Sequence, residues 1–158
     1  MNQDNSPSRD LVAPINILLA DDDKDDRYFF ERVLKKLLIH THLETVDNGE
    51  SLMIWLTENA EKLPDVLFLD LNMPRKGGRE CLSEIKENEK LKQLPVIIYS
   101  THMHENEADI LYKKGAHYYI RKTHIEELAK ILQNMLTLLV KTKFARPSED
   151  KFVFTGIS

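Results

Sequence analysis

The sequence predicts an α/β domain built on a doubly wound, five-stranded parallel sheet, and three observations lead there. Short apolar runs alternate along the chain with longer amphipathic ones, the pattern of repeated βα units. The clearest short run, Val66-Leu67-Phe68-Leu69, is apolar at consecutive positions, as a strand covered on both faces must be. Turn formers such as Asn48-Gly49, Gly77-Gly78 and Gly115 fall between the runs.

Each element follows in order. "INILLA" (15–20) reads as a buried strand, and the charged "DDDKDD" after it holds helix-opening residues. Phe29, Phe30, Val33, Leu34, Leu37 and Leu38 then recur at helical spacing. "HLETV" (42–46) is a weaker strand, and beyond its turn Leu52, Met53, Trp55 and Leu56 mark a second helix. "DVLFLD" (65–70) is the third strand, followed by a helix near 79–88. "PVIIYS" (95–100) is the fourth, with Pro95 at its start, where a missing N–H does least harm. "ENEADILYKKG" (105–115) is a helix that stops at Gly115. "HYYI" (117–120) is the fifth strand, and 124–141 the last helix.

At 158 residues the chain can bury a proper core. It reads as one folded domain, 14–141, between a flexible N-terminal segment, 1–13, and a tail, 142–158, that either packs back or stays mobile. A net charge of −4 supplies no basic field for nucleic acid or anionic lipid. No apolar run approaches a membrane span, and the polar "MNQDNSPSRD" lacks the pattern of a signal peptide. The lone Cys81 excludes an internal disulfide and fits a reducing, cytoplasmic setting.

Parallel α/β sheets place ligands just beyond the carboxyl ends of their strands. Here those ends carry Asp21-Asp22-Asp23, Asp70, Ser100-Thr101 and Arg121-Lys122, with Asp47 expected off to one side. Taken singly, each has an ordinary explanation: acids suit helix starts, and a serine can cap a helix. Their joint occurrence, each at the end of its own strand, points to a site. Two carboxylates ~5 Å apart repel by roughly 3 kcal/mol at an effective dielectric near 20. Lys122 offers one positive charge; Mg²⁺, which takes one or two carboxylates, keeps waters and binds phosphate, offers two more.

The set resembles the receiver domain of two-component response regulators. The resemblance covers roughly 14–140 and rests on "ILLADDD", "DVLFLDLNMPRKGG", "PVIIYST" and "GAHYYIRK" in the family's order. It implies a flavodoxin-like sheet of order 2-1-3-4-5, an arrangement that receiver proteins share with flavodoxin. It also implies a signalling protein, not an enzyme. Asp70 matches the phosphoacceptor, and Asp21 and Asp22 match the acidic pair that holds Mg²⁺. Asn72 would offer its backbone carbonyl to the same ion. Ser100 matches the phosphoryl-binding hydroxyl, Lys122 the invariant lysine, and Tyr119 the aromatic switch that turns inward when Ser100 moves. The implied partners are a sensor histidine kinase or histidine phosphotransfer protein and a downstream protein target.

Two departures stand out. "MPRKGG" carries one residue more than the commonest "MPxxxG" arrangement, as in some stand-alone regulators that partner phytochrome-type kinases. Thr123 stands where the family usually has proline, often after a cis bond that costs ~3 kcal/mol more without it. A Mg²⁺-dependent phosphohydrolase with an aspartyl nucleophile is the rival reading, but it needs an acid where Asn72 stands. A flavin carrier of similar topology is disfavoured by the acidic rim. His102-Met103-His104 reads as loop rather than metal site, and Cys81 as packing. In the last helix Ile125, Leu128, Leu132, Met135 and Leu139 form a stripe that Ile131, Leu136, Leu138 and Val140 widen. Either the helix is buried with help from the tail, or it offers a homodimer surface.

Overall fold

The computed structural model describes residues 13–104 and 106–156, so the expected flexible segment 1–13 lies almost wholly outside the described residues. Five strands, β1 (Ile15–Ala20), β2 (Thr41–Val46), β3 (Val66–Leu69), β4 (Val96–Ser100) and β5 (Tyr118–Arg121), form one sheet. All pairings are parallel and the order is β2-β1-β3-β4-β5. Helices α1 (Lys24–Lys36), α2 (Gly49–Glu58), α3 (Gly78–Glu87), α4 (Glu107–Lys113) and α5 (Ile125–Lys141) connect them.

Strand periodicity decides which helix covers which face. Leu18 and Ala20, Leu67 and Leu69, Val96 and Ile98, and Tyr119 point to the side packed by α2, α3 and α4, through Leu52, Leu56, Leu82, Ile85 and Leu111. The intervening Ile17, Leu19, Phe68, Ile97, Tyr99 and Ile120 meet α1 and α5 through Phe30, Val33, Leu34, Leu128, Leu132 and Met135. Burial of both faces is why the central strands carry no alternation in sequence. β2 is an edge strand whose residues are half-buried or exposed, which explains its weaker signal.

Helix ends obey local chemistry. Asp23 caps α1, its carboxylate accepting the N–H groups of Asp25 and Asp26. The helix stops at Lys36, two residues before the apolar spacing ends. Leu37 turns extended toward β2, and Leu38, expected on the helix, is 80% exposed. α4 closes on Gly115 (φ +108), with Gly115 N–H on the Tyr112 carbonyl and Ala116 N–H on that of Leu111.

The tail packs back. After α5, Lys143 and Phe144 adopt positive φ, and the Arg146 Nε donates to the Ala116 carbonyl at 3.1 Å. Tyr112 donates its hydroxyl to the Pro147 carbonyl at 2.7 Å. Tyr119 N–H then donates to Phe152 O and Phe154 N–H to Tyr119 O, both at 2.9 Å, so the tail pairs along the free edge of β5. Phe152 is buried, its ring edge-on to Tyr112. On α5, Leu128, Ile131, Leu132, Met135, Leu136 and Leu139 are buried and only Val140 of the apolar set is exposed. The breadth of that surface is therefore taken up by the sheet and the tail.

Phe152→Ala should lower unfolding free energy by about 3 kcal/mol, the usual size of a buried Phe truncation, in a urea titration followed by circular dichroism. A loss below about 1 kcal/mol would mean that the tail lies on the core without being part of it.

Candidate functional site

Backbone pairing carries on one residue past the strands and fixes what stands there. Asp21 N–H donates to Val46 O at 3.1 Å, Asp70 N–H to Ala20 O at 3.0 Å, and Lys122 N–H to Ser100 O at 3.0 Å. Four neighbouring strands thus deliver Asp21, Asp70, Ser100 and Lys122 to one rim. The loop after β3 clears space by two backbone devices. Arg75 (φ +70) centres a tight turn in which Lys76 N–H donates to Pro74 O, at the extra residue of "MPRKGG". Gly78 opens α3 so close to β3 that a Cβ there would lie 2.1 Å from the Asp70 carbonyl oxygen.

One carboxylate oxygen each from Asp21, Asp22 and Asp70 lie within 4.8 Å of one another. Asp21 and Asp70 are buried, whereas Asp22 opens to solvent. Asp21 Oδ1 accepts the Asp23 N–H at 2.9 Å, and Asp70 Oδ1 accepts the Asn72 N–H at 3.1 Å. The Lys122 ammonium lies 2.8 Å from Asp21 Oδ2, 2.9 Å from Asp26 Oδ2 and 3.3 Å from Asp70 Oδ2. Its direction suits hydrogen bonds to Asp26 and Asp70 but not to Asp21, whose Oδ2 is buried without one.

Three carboxylates crowd one ammonium, and the proton affinities of two of them, Asp21 and Asp70, register the imbalance. Burial pushes the Asp70 carboxyl up to about 6 against the pull of Lys122, and burial likewise raises Asp21. Burial works to lower Lys122, but the close carboxylates of Asp21 and Asp26, with the Asp70 charge, overcome it and hold the ammonium above an ordinary lysine. The three carboxylate oxygens gathered within 4.8 Å and the open side at Asp22 fit a hard, oxygen-seeking divalent cation that keeps some of its waters.

The structure brings together Asp21, Asp22, Asp70 and Lys122, all named from sequence. Ser100 ends β4, between the strands of Asp70 and Lys122, with its hydroxyl 3.5 Å from the His102 carbonyl. Asn72 is exposed and reaches Asp70 through its N–H. Tyr119 lies beneath the rim. It is already inside, 4% exposed, with its hydroxyl donating to Ser100 O at 3.2 Å, so the expected inward turn has no outward starting point here. Asp47 is not among the clustered acids and accepts from the Asn48 amide at 2.8 Å, and Asp23 serves as the helix cap. There are no cis peptide bonds among the described residues; Lys122 reaches the acids from a trans bond to Thr123. Sequence spacing did not single out Asp26. Its signal was position: three residues past the cap it lies one turn into α1, where side chains lean back toward the helix start.

A sheet of this order with acids and a lysine at its carboxyl rim defines a class, and sequence comparison agrees. Residues 17–133 match the response regulator receiver domain, and the chain belongs to that family. Its members are signalling proteins that accept a phosphoryl group. The response regulator Rcp1 of Synechocystis is 33% identical over 134 residues, 82% of this chain and 91% of Rcp1. Its crystal structure in a Mn²⁺-bound form superposes with a TM-score of 0.73 at 32% identity, covering 85% of this chain and all of that one. The phosphorylated cyanobacterial phytochrome response regulator RcpA gives 0.73 at 31% identity, covering 86% of this chain and 100% of RcpA. CheY of Borrelia burgdorferi, in complex with CheX, BeF₃ and Mg, gives 0.69 at 27% identity over 82% of this chain and 92% of that one.

Because the folded value of Asp70 stands near 6, above the ordinary carboxylate value, its proton stabilises the metal-free fold fully below about pH 4. That contribution is lost as pH rises through about 6, roughly 3 kcal/mol in all. Asp70→Asn should therefore be more stable than the parent in chelator at pH 7.5, by about 2–3 kcal/mol in urea titrations, with the gap closing toward pH 4. His117, which burial pushes down to about 4, acts in the opposite sense but cancels in the comparison. A gap that ignores pH would refute the assignment.

Proposed function

We propose that Asp70 takes a phosphoryl group from a phosphohistidine, on a sensor kinase or a histidine phosphotransfer protein, and that Mg²⁺ binds Asp21, Asp22, Asp70 and the Asn72 carbonyl. The observation that carries this reading is the placement of Asp70 at the end of the central strand. The Asp21–Asp22 pair stands on one side, and the strands of Ser100 and Lys122 on the other. A divalent cation there supplies charge neutralisation for incoming phosphoryl oxygens. The Asp70 carboxylate forms the new O–P bond in line while the donor N–P bond breaks, its electron pair staying with the imidazole. Lys122 and the Ser100 hydroxyl hold the product oxygens, which add roughly −1.5 to −2 of charge. Mn²⁺ in Rcp1, the phosphorylated state of RcpA and Mg with BeF₃ in the CheY complex support the reading.

Output passes through protein contacts. Ser100 O accepts both the Lys122 N–H and the Tyr119 hydroxyl, and Tyr119 is the residue to which the tail is tied. A change at the phosphate is therefore one hydrogen bond away from the β5 edge, the surface a downstream protein would read. The homodimer raised by the width of α5 loses its main support, since that apolar surface is buried within the chain. No helix among the described residues is long and apolar enough to cross a membrane, and a cytoplasmic place suits the buried free thiol of Cys81.

Incubation with a radiolabelled phosphohistidine donor in Mg²⁺ should label the parent. Asp70→Asn, and the parent in chelator, should each fall by about a hundredfold or more, as when a reacting group is removed. Parent-level labelling of Asp70→Asn would overturn the proposal.

A further inference from the structure

Lys122 has a problem of position. Its side chain is only 10% exposed, with the ammonium 5.3 Å from the centre of the Tyr99 ring, so the charge cannot simply retire to solvent. A buried ammonium needs a carboxylate at all times. Yet two of its three partners, Asp21 and Asp70, belong to the group of acids that can share a cation. A dication and an ammonium drawn to the same oxygens repel each other, and each weakens the other's hold.

We propose that Asp26 is the positioning residue that resolves this competition, by giving Lys122 a partner it keeps when the cation takes the oxygens of Asp21, Asp22 and Asp70. The inference rests on reading those three acids as the cation site. Asp26 is the one partner of Lys122 outside that group, and its hydrogen bond, at 2.9 Å, is shorter than the 3.3 Å bond to Asp70. Its place is fixed: its own N–H donates to the Asp23 carboxylate at 3.1 Å, inside the capped first turn of α1. Its side chain is 33% exposed, so water softens the pair and Lys122 can leave it for a phosphoryl group. A partner that was both strong and buried would keep the lysine.

Removing Asp26 leaves Lys122 with no partner except the cation's own ligands. This has a signature that simple loss of a nearby negative charge lacks: it requires Lys122. Mn²⁺ affinity of the phosphate-free protein, measured by titration calorimetry with the metal alone, tests it in a double-mutant cycle. Asp26→Asn should weaken binding about fivefold to tenfold with Lys122 present, and less than about twofold in a Lys122→Gln background. Asp26→Glu, which keeps a carboxylate, should recover most of the affinity. Circular dichroism checks that each variant is folded; Asp26→Asn sits on a half-exposed position and leaves the Asp23 cap intact. Equal weakening in both backgrounds, or none in either, overturns the role of Asp26. Failure of the parent to bind Mn²⁺ at all overturns the cation site instead.

Discussion

Everything at this rim turns on one ammonium set among too many carboxylates. Lys122 lies within 3.3 Å of three of them, and a fourth, Asp22, completes the group at the surface. Burial makes each pairing stronger than it would be in water and makes each unpaired charge expensive. The result is a pocket with a surplus of negative charge that a dication would largely offset. The raised proton affinity of Asp70 expresses the same deficit in another form, since a proton is the substitute available when no metal is bound.

The fold tolerates this because the charges occupy an end of the sheet and leave its faces alone. β1, β3 and β4 are buried along both faces by aliphatic and aromatic residues, and each fully buried Leu, Ile or Phe contributes roughly 1.5–3 kcal/mol. The buried acids Asp21 and Asp70 enter where their strands run out, and there the extended backbone pairing fixes the main chain of each. Gly78 shows how tight the setting is. Any side chain at that position would strike the backbone of Asp70.

Strand ends were legible because two-sided burial writes an apolar run into the sequence, and the first charged residue after it announces itself. Asp70 and Lys122 stand out for that reason. Asp26 did not, because one acid within "DDDKDD" looks like another until helix geometry assigns Asp23 to the cap and turns Asp26 toward Lys122. Leu38 misled for the opposite reason. Its apolar side chain extends the helical pattern, but the chain had already turned toward β2. The tail's docking was equally hidden, because Phe152 and Phe154 make few local contacts and their partners, Tyr112, Tyr118 and Tyr119, come from over thirty residues earlier. Sequence patterns report local periodicity well and long-range pairing poorly.

That hidden pairing alters how a signal can leave the pocket. A rotation of Tyr119 from outside to inside was the natural expectation, but its ring is buried already and its hydroxyl rests on Ser100 O. Both backbone groups of Tyr119 that face the edge are bonded to the tail, so a strand-like strap covers the edge of β5 there. β5 is locked to β4 by continuous register, whereas the tail is held by two backbone bonds, one buried ring and a few side-chain contacts. Of the pieces joined through Ser100, the tail is thus the one that can change arrangement at the lowest free energy. A ligand or a modification shifts a conformational equilibrium only by its differential affinity for the two states. Ser100 and the strap are thus joined through Tyr119, and the strap is the less firmly held of the two.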